Sequence, residues 1–280
     1  MIKLLLQLLL FLVDNVQLLT TLFVMTGIFL LLAKSIKKHA ALYYILFALP
    51  ALLFVFREIC SLFDWNIISY TRDSILGQIM REYIHVAGFA FPLLIIIMFI
   101  GALPAQNPYV KRLMMIRKEL SIISGFPIIV HFWVRVRHIG GSFEFFADTD
   151  TYMETHRQIN SALGAGLTNS AFLLGILMFV LFIILWITSF DVIQKRLGLI
   201  RWKKIQRWSY VLYAMLFAHS VLLKVGGLLN AGGGGHGHGG RGGNMTLSLT
   251  VGLISTCLIF GTYLVLRLRK QMKQAHRNIE

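Results

Sequence analysis

Apolar residues in this chain run together in long blocks, and the polar residues fall between the blocks. A helix rises about 1.5 Å per residue and the hydrocarbon of a bilayer is about 30 Å thick, so about 20 consecutive apolar residues cross it. Seven blocks reach that length: 8–33, 40–62, 80–103, 116–137, 166–190, 206–229 and 245–268. The pattern therefore predicts an all-α integral membrane protein with seven spans. Asp14, Asn15 and Gln17 interrupt the first block, which lets residues 1–13 lie in the interface and the span begin near Val16. No small-residue cleavage site follows, so the block reads as an anchor rather than a removed signal peptide.

Composition removes the soluble alternative. Hydrophobic residues make up 57% of the 280 positions and charged residues 14%, against about 45–50% and about 25% in soluble domains. Two cysteines, Cys60 and Cys257, exclude a disulfide scaffold and a four-cysteine metal site. The net charge of +15 raises the question of nucleic acid, but the basic residues sit in short loops between apolar blocks. No nucleic-acid partner is expected; the charge pattern reads as membrane orientation.

Lys34, Lys37 and Lys38 fill one loop; Lys111, Arg112, Arg117 and Lys118 the next on that side; Lys195, Arg196, Arg201, Lys203, Lys204 and Arg207 a third. With the tail from Arg267, that face holds 18 of the 27 basic residues and the other face nine. Excess Lys and Arg marks the cytoplasmic face. The expectation is a multi-pass protein of the plasma (inner) membrane with the N-terminus outside and the C-terminus cytoplasmic. Residues 225–244 contain 11 glycines, which read as a flexible external connector. His236 and His238 within it can touch a metal ion but make an incomplete site.

An ionisable side chain inside a span is costly and is a functional hypothesis by default. His85, His131 and His219 fall in the third, fourth and sixth blocks. His131 lies 14 residues beyond Arg117 and His219 lies 13 beyond Gln206, which puts both about 20 Å from the inner end of their spans. Two neutral imidazoles at one depth are what a bis-histidine haem needs, one axial nitrogen from each. Ser124, Gly125, Ala218, Ser220 and Gly88 stand near these histidines and would let a flat macrocycle approach the backbone. Pro127 frees the carbonyl of Ile123. The competing readings are histidines that merely hydrogen-bond between helices, and a zinc or proton pathway.

The sequence around the pair carries a resemblance. Residues 117–131, RKELSIISGFPIIVH, resemble the "RR-x-LG…F…H" helix of the ferric reductase-like transmembrane family, above all its MsrQ (YedZ) haem proteins. Residues 187–219 resemble that family's "TS…RLG…W-x-x-LH-x-x-Y…H" segment, through Thr188, Ser189, Arg196, Leu197, Gly198, Trp202, Tyr210 and His219. Residues 85–88, HVAG, resemble its "H-x-TG". The resemblance implies a six-helix haem-binding core over 40–268, preceded by an extra N-terminal transmembrane helix and first inner loop in 1–39 and followed by a basic cytoplasmic tail, 269–280. It implies haem b between the helices bearing His131 and His219. Related members include the STEAP metalloreductases and the NADPH oxidases. Two-haem members carry a second, inner histidine pair where this chain has Arg117 and Gln206, so the single-haem arrangement is the closer one.

At the inner end stand Arg112, Arg117, Lys118, Trp202, Lys203, Lys204, Gln206 and Arg207. Basic groups beside indole rings can hold the phosphate of FMN or FAD, or a quinone head group; the same residues also serve as topology charge and an aromatic belt. Few residues follow the last block, so the electron donor is expected to be separate: a cytoplasmic flavin reductase, a reduced flavin or the quinol pool. The acceptor is expected outside, as ferric or cupric ion or a redox partner protein. The rival readings are a metal-ion permease or sensor built on the intramembrane histidines with His236 and His238, and a haem-free membrane scaffold. Replacing His236 and His238 together with Ala should leave the haem content of the purified protein unchanged; loss of haem in that variant would favour the metal-site reading.

Overall fold

A computed structural model describes residues 17–65, 74–81, 83, 87–157, 159–231 and 242–277; His85, His236 and His238 lie outside them. The described residues form helices and no strand. In chain order these are α1 (Gln17–Lys38), α2 (Ala40–Leu62), α3 (Ile75–Met80), α4 (Ala90–Ala102), α5 (Pro108–Met115) and α6 (Arg117–Val136). There follow α7 (Ile139–Ala147), α8 (Thr149–Thr155), α9 (Ala162–Ile187), α10 (Asp191–Gln206), α11 (Ser209–Ala231) and α12 (Gly242–Arg277). Six of them, α1, α2, α6, α9, α11 and α12, are long and apolar enough to cross a membrane. The chain is an all-α, multi-pass membrane protein, and its apolar helices call for a lipid bilayer.

The third expected span differs. Among the described residues of block 80–103, Met80 ends α3 and the apolar helix is α4, whose 13 residues reach about 20 Å against a hydrocarbon of about 30 Å. Two backbone features bound it. Ala87 adopts a left-handed conformation (φ 53°) just before it. Leu103 is extended after it, as a residue preceding proline, here Pro104, tends to be. Ten of the 13 residues are buried, and a helix apolar all round is an internal one. From residue 40 on, the described residues thus hold five helices long and apolar enough to cross a membrane and this shorter apolar one.

The described residues fall into two compact units. One is drawn from Thr21–Val134, Ile183–Gln206 and Leu266–Glu280. Its main cluster joins Phe29, Ala33 and Ile36 of α1 with Leu93, Ile96, Ile97 and Ile100 of α4 and Leu120 and Ile123 of α6. A second cluster joins Ala51 and Phe54 of α2 with Met80, Tyr83, Val130 and Val134. Tyr83 donates its hydroxyl to the carbonyl of Phe47. Phe23 and Leu31 on α1 and Ile45 on α2 point outward, 83%, 77% and 66% exposed. Such faces suit lipid, where helices associate through close packing and not through expulsion of water. The basic stretch around Lys111 and Arg112, between blocks 80–103 and 116–137, is mostly helical: Asn107 caps α5 by accepting from the amides of Tyr109 and Val110, and Pro108 sits at its first turn, where a missing N–H costs nothing.

The other unit draws on Arg135–Phe182 and Arg207–Val265. Here α9 and α11 approach through small residues. A Cβ on Gly226 would lie 2.5 Å from the Thr168 hydroxyl and 2.7 Å from the Gly164 carbonyl, so only glycine lets the backbones come this close. Phe217 of α11 meets Phe260 of α12 with ring centroids 5.2 Å apart, and Tyr213 meets Tyr263 edge-on at 6.1 Å. Where it is described, the stretch 225–244 expected as a flexible loop is helical: Gly226 and Gly227 are residues of α11, and α12 starts at Gly242. Close packing of α11 on its neighbours holds the first two glycines in the helix. The basic tail expected from 269 is helical as far as Arg277.

Replacing Gly226 with Val should overpack the α9–α11 contact and lower stability by about 1–3 kcal/mol. Gly261→Ala, at a position with open space around it, should change stability by less than about 0.5 kcal/mol. Thermal unfolding in detergent reads both; equal behaviour of the two variants would show that the contact is loose.

Candidate functional site

The imidazole of His219 is the best defined of the expected ligands. It projects from α11 toward α9, and its Nδ1 lies 2.8 Å from the carbonyl oxygen of Ala171. A carbonyl only accepts, so Nδ1 carries the proton and the lone pair is on Nε2. Gly175, one turn along α9 from Ala171, adds no side chain against the ring: a Cβ there would sit 3.5 Å from Cε1 of His219. Backbone hydrogen bonding at one ring nitrogen is the arrangement that orients a histidine for metal ligation through the other. One turn further along α11, Lys224 donates to Ser220 at 2.6 Å.

His131 lies on α6, half-buried, four residues beyond Pro127. It is the fifteenth residue of α6, whereas His219 is the eleventh of α11. The chain turns at Arg207 and Trp208, with the amide of Tyr210 on the carbonyl of Arg207, so α11 begins at Ser209 and not at Gln206, from which the position of His219 was counted. The space at Gly125, expected to admit a macrocycle, is taken by the indole of Trp186. Trp186 donates to the carbonyl of Ile122 at 2.9 Å, tying α9 to α6 within the first unit.

The inner-end residues turn out to hold the fold together. Trp202 Nε1 donates to the carbonyl of Thr188 at 2.8 Å. Gln206 donates to the Leu185 carbonyl and the Thr188 hydroxyl, at 3.2 and 2.9 Å. Both side chains fold α10 back on the end of α9, whose last carbonyls lack helical partners, and α10 can bend because Gly198 takes φ 73°. Arg117 lies against Gly101, whose carbonyl also accepts from Lys270 at 2.8 Å; cations there suit the negative end of α4. Arg112 is half-buried, and its Nε has no hydrogen-bond partner among the described residues. Lys203 is exposed. Trp202 and Gln206 thus spend their donors on the chain itself, while Lys204 and Arg207, like Lys203, are exposed.

Two charged contacts were not legible in the sequence. Glu119, next to Lys118 in the chain, is 2% exposed in the first turn of α6 and pairs with Lys37 at 2.9 Å. Lys118 pairs with Asp191 at 2.8 Å, and that hydrogen bond holds the Asp191 carboxyl below the usual carboxylate range. The only signal for either is the i-to-distant match of opposite charges on adjoining basic loops. Among the described residues no three His, Cys, Asp or Glu side chains converge as a metal site. No protein-family model, curated protein or solved structure matches the chain.

Trp202→Phe keeps the ring and deletes the bond to Thr188, so it should cost about 1 kcal/mol of stability. Thermal unfolding should record that loss with the protein's cofactor content unaltered; a loss of bound cofactor at unchanged stability would return Trp202 to a binding role.

Proposed function

We propose that this protein is a membrane cytochrome b that passes electrons from a cytoplasmic donor to an acceptor outside. The observation that carries the reading is the His219–Ala171 hydrogen bond, which leaves Nε2 of a membrane-embedded imidazole as an unprotonated nitrogen ready for iron. The motif resemblance adds His131 as the second axial ligand, an assignment from sequence alone. The haem-free reading gives His219 an interhelical role but no use for Nε2.

The donor set fits the group at His219: a neutral nitrogen base, a backbone carbonyl that fixes the tautomer, and a glycine that leaves one edge of the ring without a side chain against it. When bound, haem b supplies one-electron exchange between ferrous and ferric iron. The chain contributes the rest. Ala171 raises the basicity of the imidazole through the shared proton, and the surrounding apolar helices exclude water. At the basic end, Arg112, Arg117 and Lys203 attract an anionic donor, such as a reduced flavin or the flavin of a separate reductase; a quinol reaching that end through the lipid is the uncharged alternative. The outward direction and the plasma-membrane location rest on the charge asymmetry of the loops.

Haem measured as pyridine haemochrome should approach one per polypeptide in wild-type protein purified in detergent, and should fall below about a tenth of that in His219→Ala and in His131→Ala. A ratio near two, or unchanged haem in both variants, would contradict the assignment.

A further inference from the structure

After the α9 span the chain carries α10, and no residue of that helix is buried. The span ends at Ile187, so Thr188 stands at the edge of the hydrocarbon. Trp202 and Gln206, four residues apart on one face of α10, both bond to Thr188. Together with the Lys118–Asp191 pair, these bonds hold α10 at the level of the bilayer surface and keep it from hanging into water.

Two kinds of side chain are left uncovered there. Leu199 and Ile200, just past the bend at Gly198 (φ 73°), are 57% and 86% exposed. Around them stand Lys195, Arg196, Arg201, Lys203 and Lys204, all exposed. The last four of these cations are without a side-chain hydrogen bond or ion pair among the described residues. The one acid of the helix, Asp191, is taken by Lys118. Membrane topology asks only for cations and gives bare aliphatic side chains no use. Aliphatic and cationic side chains side by side at head-group depth are what an interfacial helix presents to a membrane. A protein partner is served less well: the apolar residues are few and have cations between them, whereas protein interfaces concentrate apolar and aromatic residues at their centre.

We propose that α10 is an interfacial segment that binds anionic phospholipid. Leu199 and Ile200 enter the boundary between head groups and acyl chains, and Arg196, Arg201 and Lys204 hold the lipid phosphates around them. The bilayer that the chain spans supplies the occupant, and its negative surface complements a helix whose only acid is already paired. The site does not depend on the electron-transfer reading.

The test titrates phosphatidylglycerol and phosphatidylcholine into the detergent-purified full chain, with native mass spectrometry counting the bound lipids. Wild type should bind phosphatidylglycerol more tightly than phosphatidylcholine. The triple variant Arg196→Gln, Arg201→Gln, Lys204→Gln should lose at least about fivefold in affinity for phosphatidylglycerol, the effect of roughly one cation at an anionic surface. The triple variant Lys38→Gln, Lys111→Gln, Lys273→Gln removes as much charge from exposed positions elsewhere and should bind as wild type. A second measurement reads depth in phosphatidylglycerol vesicles, with a nitroxide on Ile200→Cys in a Cys257→Ser background, Cys60 being buried. That nitroxide should collide more with oxygen than with a water-soluble nickel chelate. Wild type without a preference for phosphatidylglycerol, two triple variants of equal affinity, or a nitroxide freely reached by the chelate overturns the proposal and leaves α10 to a soluble partner.

Discussion

Inside hydrocarbon there is no water to satisfy a polar group, and each one left unpaired costs several kcal/mol. The described spans meet that constraint by turning their few polar side chains back onto carbonyls. Thr188 and Ser189 bond the preceding turn of α9, Ser124 that of α6, and Thr256 that of α12. Trp186, Gln206 and His219 reach further and join one helix to another. Most polar atoms in the spans are thereby committed to structure. Nε2 of His219 is set apart by this logic, since the proton that would have made it a donor is held at the other nitrogen.

Charge follows the same logic at the helix ends. Glu119 is buried and tolerated because Lys37 reaches it from α1; removing one partner of such a pair is far more damaging than the pair is stabilising. Lys270 places its ammonium on the carbonyls of Gly101 and Leu103, where the short α4 ends. The basic residues that mark topology in the sequence thus also close helix ends, and only some of them are left to meet a ligand.

The long helices were legible because length and apolarity suffice to define them: the blocks behind α2, α6, α9, α11 and α12 match to within a few residues at most ends. Block 80–103 was misleading because apolarity alone does not separate a buried helix from a lipid-facing one, and because the backbone turn at Ala87 has no apolar signature. Gly125 read as clearance for a cofactor since its true occupant, Trp186, is 61 positions away. Trp202 and Gln206 carried residue types that suit a cofactor site, but their partners are backbone carbonyls, which every residue has and no sequence pattern marks. Glu119 was hidden for a related reason: burial of an end-of-helix acid depends on which lysine reaches it.

The central claim is that His219 offers iron a neutral nitrogen and that a second imidazole completes the set. The reduced-minus-oxidised visible spectrum of the detergent-purified protein tests it most directly. The account predicts the sharp, split bands of six-coordinate low-spin haem b, with no high-spin charge-transfer band in the oxidised form. A folded protein with no haem absorption, even after incubation with haemin, would contradict it.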